Sequence, residues 1–159
     1  MGLTNFYKAI REKLGNDLLL LPGICAIVFN DQGEILLQKR ADTGKWAIIG
    51  GMLDPGEEPA DAVIREVWEE TAVEVIPQRI TGVYTTPIIT YANGDQAQFI
   101  ITAFVCKAMP GEARVNDDES LEVGYFALTN LPELGEQHRL RIEHALANQA
   151  GAFFRVGNA

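Results

Sequence analysis

Residues 50–73, GGMLDPGEEPADAVIREVWEETAV, set a glycine pair, a turn and an acid-rich helical segment in direct succession. Glu66, Glu69 and Glu70 stand at i, i+3 and i+4, so a helix brings them onto one face where their carboxylates can converge. Like charges so placed repel and raise one another's pKa values. A hard divalent cation removes that penalty, and carboxylate oxygens are the ligands that Mg²⁺ prefers. Ala60, Val63, Ile64, Val67 and Thr71 recur with a roughly helical period and form the expected buried face. Arg65 lies four residues from both Asp61 and Glu69 and can pair with either, yet one guanidinium cannot neutralise the whole cluster. The segment predicts an amphipathic helix whose polar face needs a cation.

The residues before that helix have chemistry of their own. Gly50-Gly51 lets the backbone approach a neighbour closely. Asp54-Pro55-Gly56 has turn composition, and Glu57 and Glu58 then sit in or near the first helical turn, where the helix dipole favours them. The strand-like WAII (residues 46–49) leads into this loop, so a strand end, a glycine loop and a helix start meet at one place, suited to an ion and a phosphate together. Neither G-x-G-x-x-G nor G-x-x-x-x-G-K-[ST] occurs, which sets the loop apart from dinucleotide and Walker phosphate loops.

These residues resemble the signature of the Nudix hydrolase (MutT-like) family, G-x5-E-x7-R-E-U-x-E-E-x-G-U, where U is a bulky aliphatic residue. Gly51 opens it, Glu57 follows after five residues, and Arg65-Glu66-Val67 after seven more; Glu69, Glu70 and Val73 complete it. Ala72 stands where the family has glycine, a helix-ending position at which a left-handed conformation is common. Alanine there costs roughly 1 kcal/mol if the same dihedral is kept. Ile49 stands where many members have proline. Every charged position of the signature is present.

The resemblance implies an α/β/α sandwich with a mixed β-sheet, preceded here by a short N-terminal helix. It implies that Glu66, Glu69 and Glu70 bind Mg²⁺, with Mn²⁺ able to substitute, that the Gly50 carbonyl joins them and that Glu57 belongs to the same metal site. Arg65 is expected to orient carboxylates. The general base is left open between Glu69, Glu70 and Glu119 of the acidic loop 117–119. The implied reaction is metal-assisted attack of water on a nucleoside diphosphate linked to another moiety. The segment YANGDQAQF resembles sequences of the broad bacterial ADP-ribose pyrophosphatase group, which makes ADP-ribose or an ADP-sugar the first substrate to consider. The alternatives are hydrolysis of ordinary or oxidised nucleoside triphosphates, hydrolysis of dinucleoside polyphosphates, and a non-catalytic Nudix-like sensor that only holds its nucleotide. An interaction module built on the N-terminal helix is a further alternative.

Composition narrows the partners. A chain of 159 residues with 47% hydrophobic content supports one domain with a sizeable core. With 22 acids against 13 bases, the net charge of −9 offers no basic track to a nucleic-acid polymer, whereas a small phosphate ester can obtain its positive charge from a metal. Cys25 and Cys106 lie in apolar runs and read as small buried hydrophobes. No run is apolar for membrane length, and the N-terminus lacks the order of a secretory signal, so a cytoplasmic protein is the simplest expectation. Homodimers are common in the resembling family, but no sequence feature marks an interface.

The remaining pattern predicts an N-terminal helical extension over residues 1–21, a Nudix domain over 22–150 and a tail over 151–159. The first helix is expected over 3–14, with Leu3, Phe6, Tyr7, Ile10 and Leu14 on its packed side. Strands follow from Pro22, around a turn at 30–33, over 78–91 and 96–107 around Asn93-Gly94-Asp95, and near 123–126. A terminal helix is expected over 136–149. His138 and His144, six residues apart on that helix, do not share a face and are not expected to act in catalysis. Of Trp46, Tyr84, Tyr91 and Phe99, Trp46 is the aromatic most closely tied to the glycine loop.

Overall fold

The computed structural model describes residues 5–157. Eleven elements follow one another: α1 (Asn5–Leu14), β1 (Leu19–Phe29), β2 (Ile35–Arg40), β3 (Trp46–Ala47), β4 (Ile49–Met52), α2 (Pro59–Thr71), β5 (Val75–Thr85), β6 (Ile89–Thr90), β7 (Gln96–Ala108), β8 (Ser120–Phe126) and α3 (Glu136–Leu146). Leu3 of the expected first helix lies outside the described residues.

The strands form one mixed sheet with β1 near its centre, in the order β3-β2-β1-β7-β5. β1 and β7 run parallel along their whole length, from Leu19↔Ala97 to Phe29↔Lys107, and every other pairing is antiparallel. Strand β1 is apolar on both faces because helices cover both. Ile24, Ala26 and Val28 pack with Ala62, Val63 and Val67 of α2. Leu21, Cys25 and Ile27 belong to the opposite core, with Tyr7 of α1 and Ile142 and Ala145 of α3. The architecture is the expected α/β/α sandwich. Both cysteines are buried and unpaired in a disulfide.

Local chemistry accounts for the turns. Between β1 and β2, Asn30 Oδ1 accepts from the Gln32 and Glu34 amides, and Gly33 takes the positive φ of 74° that closes the hairpin. Gly94, at φ 87°, does the same between β6 and β7.

Several boundaries and faces differ from expectation. β1 begins at Leu19, three residues before Pro22, because its early part pairs with β7. α3 stops at Leu146, after which Asn148 adopts a positive φ of 46°. Phe6 and Leu14 of α1 face outward, leaving Tyr7 and Ile10 to pack. On α2, Ile64 is 41% exposed, and Ala62 takes its place in the core. Periodicity places both residues near the boundary of the apolar arc, and the sheet selects one. No helix among the described residues is long and apolar enough to cross a membrane.

Candidate active site

Strand β4 brings the glycine pair against β1, with Gly50 opposite Cys25 and Gly51 opposite Ile24. A Cβ on Gly50 would stand 2.6 Å from the Ile24 carbonyl, so glycine permits the close approach of the two strands. At Gly51 the neighbour is different: a Cβ would stand 2.0 Å from the Glu66 carboxylate. The second glycine leaves the space that Glu66 occupies. The chain then turns through Gly56, at φ 85°, and α2 starts at Pro59 with Glu58 as its N-cap residue. It ends at Ala72 in the left-handed conformation, φ 55° and ψ 23°, with its amide donating to the Trp68 carbonyl. Ala72 keeps the backbone of the signature glycine and carries the steric cost of doing so.

Arg65 is the hub of the polar face. Its Nε and Nη2 donate to the two carboxylate oxygens of Glu57 at 2.8 and 2.9 Å, a bidentate fork. Nη1 donates to Glu66 at 2.9 Å and to Glu69 at 3.1 Å, and Nη2 also reaches the Met52 carbonyl at 3.0 Å. Glu57 foremost, and Glu66, hold the guanidinium pKa far above its ordinary value. Asp61 is absent from its partners among the described residues.

Glu70 points the other way, into the interior. It is 2% exposed and accepts from Gln38 Nε2 at 2.6 Å, while Gln38 Oε1 accepts from the Ser120 hydroxyl at 2.7 Å. Burial pushes the Glu70 carboxyl up to about 8, with the Glu66 and Asp117 charges adding to the rise and Gln38 opposing it. Burial also raises Glu66, against the pull of Arg65. Glu69 is half exposed at the outer edge. The three acids therefore share a helical face without converging: Glu66 and Glu69 lean toward Arg65, and Glu70 toward an amide. Among the described residues, no group of three acids, histidines or cysteines stands close enough to hold a metal ion. Like charges separate when cationic and amide partners are within reach.

The loop before β8 docks on the C-terminal end of α2. Arg114 N donates to the Thr71 carbonyl, and Asn116 Nδ2 to that of Trp68. Asp117 thereby comes within electrostatic reach of Glu70, and Glu119 within reach of Glu66 and Arg40. The histidines lie across the sheet on α3. His144 Nδ1 meets the Tyr84 hydroxyl at 2.8 Å, and burial depresses His138 to about 4. Trp46 packs edge-on against Phe126, centroids 4.8 Å apart.

A cleft of about 650 Å³ adjoins this site, lined by Arg11, Arg40, Met52, Tyr91, Asn93 and Phe99 among others. Met52 links the two directly, since its carbonyl is held by Arg65. Sequence reasoning missed Gln38, Arg40, Tyr7 and Arg11. Gln38 had a visible signal, a lone amide following three aliphatic residues within a strand. The others depend on distant parts of the chain meeting.

The NUDIX domain family model matches residues 19–146. A MutT-like protein of Streptomyces ambofaciens is 32% identical over 124 residues, which is 77% of this chain and 75% of that protein. An ADP-ribose pyrophosphatase of Methanocaldococcus jannaschii is 32% identical over 114 residues, covering 70% of this chain and 64% of that protein. The crystal structure of a MutT NUDIX hydrolase from Burkholderia pseudomallei superposes with a TM-score of 0.67 at 31% identity, over 79% of this chain and 98% of that one. A matched domain that spans the whole sheet, with every signature acid in place, makes this chain a member of the Nudix family of hydrolases, which act on phosphoanhydride bonds.

Proposed function

We propose that the chain is a Mg²⁺-dependent hydrolase of nucleoside diphosphates linked to another moiety, with ADP-ribose or an ADP-sugar as the first substrate to test. The observation that carries this reading is the contact, through Met52, between a carboxylate site and a cleft with aromatic and cationic lining. That cleft is large enough for a nucleoside-sized group, and Tyr91 and Phe99 offer surfaces for a base. The archaeal relative named an ADP-ribose pyrophosphatase supports the choice of nucleotide.

The donor set suits a hard cation in its chemistry, and Glu70 must leave Gln38 and swing toward Glu66 for the two to share one. The set consists of carboxylate oxygens and a backbone carbonyl, and Gly51 keeps the space over which the Glu66 carboxylate lies. Glu66 and Glu70 would hold the ion most closely, with Glu69 and the Gly50 carbonyl completing the set. When bound, Mg²⁺ neutralises phosphate oxygens and lowers the pKa of water. Arg65 anchors this face by tying Glu57, Glu66 and the Met52 carbonyl together. Glu57, with both oxygens on Arg65, serves the metal site through that anchor. Arg40, in the cleft wall with its Nε and Nη2 on Asp42, is the cation offered to a phosphate. Glu119 is the base assigned to the attacking water, with Glu69 and Glu70 as the alternatives within the signature.

The test is hydrolysis of ADP-ribose, sugar nucleotides, dinucleoside polyphosphates and triphosphates with Mg²⁺ or Mn²⁺, with the products identified. A nucleoside monophosphate and a phosphorylated second group are expected; pyrophosphate release from triphosphates would replace the first choice of substrate. Glu70→Gln should lower kcat at least about 100-fold with the fold intact. Equal rates with and without metal would overturn the reading, and tight nucleotide binding without turnover would make the domain a sensor.

A further inference from the structure

Helix α1 precedes the segment matched by the family model, yet its side chains grip both sides of the cleft. Tyr7, 5% exposed, donates its hydroxyl to the Leu53 carbonyl at 2.7 Å. Three consecutive residues where β4 passes into its loop are thus each pinned by a side chain: the Met52 carbonyl by Arg65, the Leu53 carbonyl by Tyr7 and the Asp54 amide by Glu57. One of the three pins comes from α1.

One turn later on the same face, Arg11 serves the opposite wall. Its Nη2 donates to the Gln96 carbonyl at 2.9 Å, where β7 begins, and Nε lies 3.7 Å from Asp95. Nη1 donates to the Gly15 and Asp17 carbonyls at 2.9 and 2.7 Å, closing the end of α1. Asn16 Nδ2 reaches the Asn93 carbonyl at the hairpin tip, at 3.4 Å. The β6–β7 hairpin carries Tyr91 and Asn93 into the cleft. A helix needed only to cover apolar surface would use aliphatic side chains here, rather than a buried hydroxyl and a guanidinium aimed at backbone carbonyls.

We propose that α1 is a clamp that sets the geometry of the substrate cleft, with Tyr7 positioning the Leu53–Glu57 loop and Arg11 positioning the β6–β7 hairpin. This rests on the reading that the cleft receives the substrate. Tyr7 acts on the reacting side through the loop. Arg11 governs the side that seats the group beyond the phosphates, and so bears on specificity. Neither residue performs chemistry; both are positioning residues.

The experiment combines steady-state kinetics with hydrogen exchange on Tyr7→Phe, Arg11→Gln and Arg11→Lys in the full chain. Leu14→Ala, on the outward side of α1, is the control and should alter neither readout. Tyr7→Phe should lower kcat about tenfold with KM within about twofold, and speed exchange at residues 53–58 alone. Arg11→Gln should raise KM about tenfold with kcat nearly retained, and speed exchange at 91–96 and at the end of α1 over 15–17, while leaving 53–58 unchanged. Arg11→Lys should recover little of this, because an ammonium cannot span the same carbonyls. Unchanged exchange at both segments, exchange raised uniformly over the molecule, or losses of kcat and KM that do not separate between Tyr7 and Arg11 would overturn the clamp. If the wild-type chain hydrolyses no nucleotide, the functional reading fails, and exchange alone then decides whether α1 holds the two walls.

Discussion

Glu70 is an acid held almost entirely out of water on a single amide donor, and the consequence is a pH-dependent stability. Its folded pKa, about 8, lies above the ordinary 4.5, so folding takes up a proton between those values. Its contribution to stability is therefore greatest below about pH 4.5 and falls as the pH rises toward 8. In chelator-treated protein, the Glu70→Gln variant should lack this fall and melt about 5 °C above wild type near pH 8, measured by calorimetry. A wild-type melting temperature that tracks the variant's across pH 5–8 would mean that Glu70 titrates normally. The presence of Glu70 in the site was legible from its spacing to Glu66. Its inward turn was not, because Gln38 lies 32 residues away on a strand paired elsewhere. Ala72 shows the converse: one local departure from a motif, readable at once, and a left-handed backbone retained despite it.

At the scale of elements, β4, its loop and α2 act as one unit, and the two glycines within it have separable duties. Gly50→Ala forces β4 away from the Ile24 carbonyl, a backbone atom that cannot yield cheaply. It should cost about 1–3 kcal/mol, seen as a drop in melting temperature. Gly51→Ala meets first the flexible end of Glu66. That variant should keep most of its stability and lose at least about tenfold in kcat, as the carboxylate is displaced. Equal losses of stability would show that the second glycine also serves packing. This unit was legible because its determinants are contiguous: glycine pair, turn, helical spacing. The two hairpin turns were legible for the same reason. Which residues of α2 and α1 meet the core was less so, since Ile64, Phe6 and Leu14 have the right chemistry and the wrong azimuth.

At the scale of the molecule, the parallel pairing of β1 with β7 organises everything else, and no periodicity in either strand announces a partner so far along the chain. The same pairing brings Arg11, Arg40 and the β6–β7 hairpin around one cleft. Strand β5 lies at the other margin, and there the tail intervenes. Phe153 donates its amide to the Thr81 carbonyl and accepts from the Val83 amide, while its ring stacks on His144 at 3.8 Å and on Tyr84 at 5.5 Å. Phe153→Ala should lower the melting temperature by about 5 °C. It should also promote concentration-dependent association by light scattering, because an uncovered edge strand recruits other strands. A variant that matches the wild type in association state and in stability would show that the tail contact is incidental. The sheet thus keeps a socket for the segment around Phe153. A chain clipped after residue 150 becomes a receptor for the missing peptide, and supplying residues 151–157 in solution should restore both its melting temperature and its solubility.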